Sequence, residues 1–267
     1  MLYYIYVLVG GVVVYVFISF IFFLLQEKMI FWPTQLADDY QFNFDAPFEE
    51  ITLEYRNNVK INCLHFKVKD PKGCILYHHG NADDLRRWGK KHYLFTKQGY
   101  DVFFYDYRGF GKSKGRRSEF GLFRDARRIH NYLKIHYPED RIVQYGISLG
   151  SGIAAKLASK IKAPLLILET PYLSMLSMAK RKAPFLWNRL VLRFHIRTDH
   201  FVKKIAGCIY IFHGTRDELI PYVHGKSLSL ISNHARMITI NGAKHNNLEE
   251  FDKYQVELAE ILKKFKE

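Results

Sequence analysis

Three residues of this chain, Ser148, Asp217 and His245, have the types and the order of a nucleophile, an acid and a base. Ser148 stands in Gly146-Ile147-Ser148-Leu149-Gly150, between a strand-like apolar run (RIVQY) and a helix-like stretch (LGSGIAAKLASK). A G-x-S-x-G turn in strand–turn–helix context presents the serine Oγ at the C-terminal edge of a sheet. It also sets it at a helix N-terminus, whose dipole favours developing negative charge. Small residues on either side let strand and helix approach closely. A serine hydroxyl is a weak nucleophile at neutral pH and needs a base and an orienting carboxylate. Downstream, the strand-like CIYIF runs into His213-Gly214-Thr215-Arg216-Asp217-Glu218, making Asp217 the candidate acid and Glu218 its near rival. The next such run, ARMITI, leads to the loop that carries His245 just before the last helix. The chemistry this order supports is acyl transfer through a covalent acyl-enzyme.

A tetrahedral intermediate needs two backbone N–H donors near the nucleophile. Leu149, next after the serine, supplies one. The loop after the third predicted strand, Tyr77-His78-His79-Gly80-Asn81, supplies the other, with Gly80 permitting close approach and the Asn81 N–H as donor. His78 and His79 have no third ligand at suitable spacing and read as packing and turn residues, so no metal site is expected. The mechanism calls for no cofactor.

The elements that must position these residues follow from patterning. Strand-like runs cover 50–55, 60–68, 74–78, 101–105, 141–146, 164–168, 208–212 and 235–240, and amphipathic helical stretches cover 84–98, 120–136, 149–160, 222–231 and 247–264. The middle runs are short and apolar, as in strands covered on both faces. The alternation predicts an α/β fold, a mainly parallel eight-stranded sheet with helices on both faces, over residues 48–267.

Ahead of that domain, Leu2 to Leu25 is uncharged and, at ~1.5 Å per residue, spans roughly 36 Å, more than the ~30 Å hydrocarbon core of a bilayer. Tyr3, Tyr4 and Tyr6 flank one end and Trp32 the other, as interfacial aromatics do. No basic n-region or small-residue cleavage site is present, so residues 1–25 read as a single-pass transmembrane anchor and 26–47, with Pro33 and Pro47, as a juxtamembrane linker. Lys28, beside Glu27, leans to a cytoplasmic catalytic domain. Cys63, Cys74 and Cys208 lean the same way, since their odd count and spacing exclude a disulfide framework. A hydrophobic content of 48% excludes disorder. The formal charge of +14 suits either anionic lipid or an ordinary soluble surface, and no nucleic-acid signature accompanies it.

The string YHHGNADD…GYDVFFYDYRGFGKSKG…YGISLGSGIA…ETPY…HGTRDELIP…GAKHNN resembles the α/β-hydrolase superfamily, within it the small membrane-anchored branch of α/β-hydrolase domain-containing proteins 13 and 17. The resemblance covers roughly residues 50–265. It implies nucleophile Ser148, acid Asp217, base His245 and oxyanion donors Asn81 and Leu149. Asp84 stands where this branch has Asn, and Thr170 makes the E-S-P segment E-T-P-Y; both departures are expected to affect the shape of the acyl or leaving-group site. The N-terminal cysteine cluster of the depalmitoylating relatives is absent here, and the apolar run takes its place.

Residues 171–204 interrupt the strand–helix rhythm where this fold admits a lid. They carry Lys180, Arg181, Lys182, Arg189, Arg193, Arg197, Lys203 and Lys204 against one acid, Asp199. Large apolar residues are interleaved, among them Met175, Met178, Phe185, Leu186, Trp187, Leu190, Leu192 and Phe194. Packing accounts for the apolar residues; the cations suit anionic headgroups, and the Met, Leu and Phe content suits an acyl chain. The expected function is a membrane-anchored serine hydrolase acting on an acyl ester or thioester, with membrane lipid as a partner. A peptidase of the same fold and a catalytically silent membrane scaffold are the competing readings. Oligomeric state is not legible.

Overall fold

The computed structural model describes residues 1–56, 58–161, 163–182, 184 and 191–265. A long helix, α1 (Leu2–Ile30), precedes the hairpin β1 (Phe48–Tyr55) and β2 (Val59–Phe66). There follow β3 (Cys74–His78), α2 (Leu85–Trp88), α3 (Tyr93–Thr96), β4 (Asp101–Tyr105), α4 (Glu119–Leu133), β5 (Ile142–Ile147), α5 (Leu149–Ala158) and β6 (Leu165–Glu169). The chain closes with α6 (Met175–Lys182), α7 (Thr198–Val202), β7 (Cys208–Gly214), α8 (Val223–Ile231), β8 (Ala235–Ile240) and α9 (Asp252–Lys264). The eight strands form one sheet in the order β1-β2-β4-β3-β5-β6-β7-β8. β2 runs antiparallel to β1 and β4, and every other neighbouring pair is parallel. Each strand read from the sequence is present, its ends shifted by at most two residues.

Side-chain alternation builds a core on each face of the sheet. Cys74, Leu76, Phe103, Tyr105, Leu166 and Leu168 point to one face and pack with α4, α5 and α7. Ile75, Tyr77, Val102, Phe104, Leu165 and Ile167 point to the other and pack with α2, α3 and α9. The helix expected over 84–98 is broken into α2, a tighter turn at Gly89–His92 and α3. The break falls where Gly89 lies so close to the Phe44 ring that a Cβ would stand 2.5 Å from it.

Residues 26–47, read from the sequence as a linker, are packed into the domain at their start. Phe31 is buried, with its ring edge-on to Phe194 at 5.0 Å and to Phe110 at 6.3 Å. Trp32–Pro33 pairs in parallel with Ala82–Asp83. The Gly111 N–H donates to the Thr34 carbonyl (2.8 Å) and the Leu36 N–H to the Gly111 carbonyl (2.9 Å). The last turns of α1 are tied in as well. Gln26 is buried; its Nε2 donates to the Val191 carbonyl (2.9 Å) and its Oε1 accepts the Arg193 N–H (2.7 Å). The Glu27 carboxylate stands 3.0 Å from Arg117 Nε and 3.4 Å from Arg193 Nη2. Met1 through Ile18, in contrast, are exposed throughout, along a helix long and apolar enough to cross a membrane.

The 171–204 segment contains α6 and α7, with Leu192, Phe194, Phe201 and Val202 buried. Two of its cations are engaged in ion pairs within the protein: Arg193 pairs with Glu27, and Arg197 pairs with Asp199 at 2.8 Å. Phe185, Leu186, Trp187, Arg189 and Leu190 lie outside the described residues.

Burial also sets the acid sensitivity of the fold. Burial holds the His78 imidazole down at about 4 and that of His79 at about 3, and it lowers His130 and His224. An unfolded histidine titrates near 6.5, so as pH falls the unfolded chain takes up protons that the folded chain refuses. The stability from neutral burial is complete above about pH 6.5 and is lost progressively toward pH 4. At pH 5 the loss is on the order of 2 kcal/mol for each of His78 and His79. The buried Asp106 and Glu169 carboxyls are raised and act in the opposite sense, so the histidine contribution is read by comparison with His78→Gln, whose melting temperature in detergent is expected to fall about 5 °C less than that of the wild type between pH 7.5 and pH 5. Equal falls in the two proteins would contradict neutral burial of His78.

Candidate active site

The site begins with a backbone distortion. Ser148 has φ 52° and ψ −118°, a region that a residue with a Cβ adopts only under constraint. The turn connects β5 to α5, and neighbouring glycines make it possible. A Cβ at position 146 would stand 2.5 Å from the Gly150 carbonyl oxygen, and one at position 150 would stand 2.0 Å from that of His78. The Ser148 N–H donates to the Glu169 carbonyl at 2.9 Å, which fixes the turn to β6.

Two loops converge on the serine. The loop after β7 brings Asp217 and the loop after β8 brings His245, and all three side chains are nearly buried. His245 Nδ1 lies 2.7 Å from Asp217 Oδ2, and His245 Nε2 lies 3.1 Å from Ser148 Oγ. With the Nδ1 proton directed at the carboxylate, Nε2 is left to accept the serine proton. Glu218 is exposed and makes no part of this chain of contacts. Burial works to raise the Asp217 carboxyl. Hydrogen bonds from His213 and His245, attraction to His245 and the Ile220 N–H outweigh it, and hold the group well below the usual carboxylate range. The Leu219 N–H (3.0 Å) and Ile220 N–H (2.8 Å) both donate to Asp217 Oδ1.

His213 is a participant that reading the sequence did not single out. Its Nε2 donates to the Ile220 carbonyl at 2.8 Å and stands 3.3 Å from Asp217 Oδ2, so the acid lies between two imidazoles. The only signal for it was its place at the end of a buried strand. His78 and His79 take structural roles. His78 reaches Tyr105 Oη (2.6 Å) and Gln144 Oε1 (3.2 Å), and His79 Nδ1 donates to the Gly80 carbonyl (2.7 Å).

Asn81 and Leu149 lie with Ser148 on a cavity of about 200 Å³. Leu149 is the first residue of α5, so the helix N-terminus points at the serine. Asn81 is held from behind: its carbonyl accepts the Trp32 N–H at 2.8 Å and its Nδ2 donates to the Ile30 carbonyl at 2.8 Å. The cavity's other walls come from α6 (Met175, Met178, Ala179, Lys182), from Leu192, Leu219 and Ile220, and from the end of α1 (Phe22, Gln26, Met29, Ile30). Asp84 and Thr170, expected to shape this space, do not line it. Asp84 caps α2, accepting the Arg86 N–H at 2.8 Å and pairing with the Arg86 guanidinium. Among the described residues no group of three or more His, Cys, Asp or Glu side chains is placed to hold a metal ion.

With this geometry in view, the comparisons with known proteins are specific. The family described as Serine aminopeptidase, S33, matches residues 69–199. Over 200 residues the chain is 32% identical to α/β-hydrolase domain-containing protein 17C of Xenopus tropicalis, a match spanning 70% of this chain and 61% of that protein. The chain thus spans about three fifths of that relative's length. It is 33% identical over 235 residues to uncharacterized protein R595 of Acanthamoeba polyphaga mimivirus, 78% of this chain and 79% of that one. The esterase Pf2001 of Pyrococcus furiosus shares the fold with a TM-score of 0.69 at 20% identity, over 88% of this chain and 100% of that chain. The thioesterase domain from the curacin biosynthetic pathway does so with a TM-score of 0.60 at 16% identity, over 81% and 99%. By sequence and by fold, the chain belongs to the α/β-hydrolase superfamily, and it is similar in sequence to the α/β-hydrolase domain-containing 17 proteins.

Proposed function

We propose that this protein is a membrane-anchored serine hydrolase that cleaves an acyl ester or thioester, with Ser148, His245 and Asp217 as its catalytic triad. The observation that carries the reading is the continuous contact from Asp217 through His245 to Ser148 Oγ, beside an apolar cavity. Ser148 Oγ attacks the acyl carbonyl carbon while His245 Nε2 takes its proton. Asp217 stays ionised and stabilises the imidazolium through Nδ1–H. The carbonyl oxygen, now negative, is met by the backbone N–H groups of Asn81 and Leu149 and by the dipole of α5. Collapse of the intermediate breaks the bond to the alcohol or thiol, which leaves with the proton from His245. Water, deprotonated by the same nitrogen, then releases the acid and restores the serine.

The domain plan of the proposal is an anchor at 1–25, a connecting segment at 26–47 and a hydrolase domain at 48–267 with a lid at 171–204. The domain faces the cytoplasm, a placement supported by Lys28 at the end of α1 and by the free Cys63, Cys74 and Cys208. An aminopeptidase would need a carboxylate for the substrate's ammonium group. Among the described residues lining the cavity, the only charged side chain is Lys182, of the opposite sign to the one required.

Ser148→Ala is expected to lower p-nitrophenyl ester turnover by about four orders of magnitude and to abolish labelling by a fluorophosphonate probe, with the fold retained. Undiminished turnover would end the assignment, and an unlabelled wild type would favour the scaffold reading.

Asp217→Asn is expected to cost about a thousandfold or more in kcat, while Glu218→Gln stays within a few-fold of wild type. The reverse ranking would reassign the acid.

The basic end of α6 is proposed to meet anionic headgroups, each cation near the surface contributing about 1 kcal/mol. Charge reversal at Lys180, Arg181 and Lys182 is expected to lower activity on an ester in anionic liposomes more than on a soluble short-chain ester. The liposomal activity of the wild type should fall as salt rises. Equal losses on both substrates would count against a headgroup role.

A further inference from the structure

The cavity beside Ser148 has a wall that belongs to no part of the hydrolase domain. Phe22, Gln26 and Met29 of α1 are spaced i, i+4 and i+7, which puts them on one stripe of the helix, and all three line the cavity. From this we infer that the last turns of the anchor helix form one side of the acyl-chain site, and that the chain enters this site from the bilayer leaflet and not from water. The inference rests on the serine hydrolase reading and adds the source and the seat of the substrate's acyl group.

Three observations support it. The first is rigidity. Gln26 is locked to the backbone at Val191 and Arg193, and Ile30 and Trp32 are bonded to Asn81, so the α1 wall and the oxyanion loop form one unit. The second is length. The uncharged run from Leu2 to Leu25 exceeds the hydrocarbon thickness by roughly 6 Å, about one helical turn, so Phe22 falls at the edge of the apolar layer and Met29 beyond it. A stripe from Phe22 to Met29 therefore crosses from the acyl region of the leaflet to the vicinity of Ser148. The third is chemistry. Met29, Met175 and Met178, three of the chain's five methionines, surround the space, and unbranched thioether side chains adapt to a linear apolar chain. Gln26 is the polar group on the α1 stripe, and its amide is already committed to Phe23, Val191 and Arg193. A polar acyl group would find no partner on that wall.

The test uses the full-length protein in lipid nanodiscs, with p-nitrophenyl butyrate and p-nitrophenyl palmitate as substrates. Met29 is half exposed, so either a larger or a smaller side chain can be placed there. Met29→Trp narrows the wall and is expected to lower the palmitate-to-butyrate ratio of kcat/KM by about tenfold, whereas Met29→Ala raises it. If both variants keep the wild-type ratio, α1 is not part of the acyl site. A second arm places palmitoyl ester either in the same proteoliposomes as the protein or in separate vesicles. Turnover is expected to be about tenfold faster in the shared bilayer, and equal rates overturn entry from the leaflet. Failure of the underlying reading is recognised separately, because a wild type that neither hydrolyses butyrate nor reacts with fluorophosphonate is not a serine hydrolase at all.

Discussion

The close approach of α5 to the ends of β3 and β5 is the constraint on which the rest of the site depends. It forces Ser148 to φ 52°, a conformation costing on the order of 1–3 kcal/mol, and holds it there by over-determination. The Ser148 N–H is spent on Glu169, while the Ser148 carbonyl accepts from the Ser151 N–H (3.0 Å) and the Ser151 hydroxyl (2.6 Å). Gly150 lies against the His78 and His79 carbonyls, where no side chain fits. The same contact thus strains the serine and delivers the loop carrying Asn81. Neither feature could be relaxed without losing the other.

Around this turn, the surroundings push buried carboxyls in opposite directions. Asp217 receives two backbone N–H groups and lies between His213 and His245, and these outweigh its burial. Glu169, under the same sheet edge, goes the other way. Burial and the nearby Glu249 raise it, although the hydroxyls of Tyr145 and Tyr254 donate to it. Burial, with the neighbouring Asp84 second, pushes the Asp106 carboxyl well above its usual range. Of these three buried carboxyls, the one that the surroundings favour as an anion is the one facing the His245 imidazole.

Much of this was legible in the sequence because the relevant signals are local. A strand buried on both faces shows itself as a short apolar run, and Ser148 carries its turn chemistry within two residues on either side. Asp217 and His245 could be found because each follows such a run. Less visible was anything set by tertiary contact. The choice between Asp217 and Glu218 depends on which carboxylate turns inward, a matter of loop geometry with no sequence period. His213 becomes a neighbour of Asp217 only because the Ile220 carbonyl returns to its Nε2. Arg193 and Arg197 looked like free surface charge because Glu27, the partner of Arg193, is 166 residues away and Asp199 is a lone acid in a basic segment. Residues 31–36 looked like a linker because their partners, Asn81 and Gly111, belong to loops and contribute hydrogen bonds without a hydrophobic pattern.

The junction between α1 and the domain ties the N-terminal helix rigidly to the candidate site. A side-chain amide buried without partners costs several kcal/mol, yet Gln26 is buried at the end of an apolar helix. Its hydrogen bonds to Phe23, Val191 and Arg193 satisfy it, and the Glu27 ion pairs with Arg117 and Arg193 add a second, charged fastening one residue later. Phe31, buried between Phe110 and Phe194, closes the joint. A flexible tether would let the domain take any orientation relative to α1. A helix that continues unbroken into such a joint fixes one orientation, and with it the direction in which the cavity beside Ser148 opens. The Trp32 N–H on the Asn81 carbonyl and the Asn81 Nδ2 on the Ile30 carbonyl carry that constraint one step further, because the loop they hold is the one proposed to stand still while charge develops on the carbonyl oxygen.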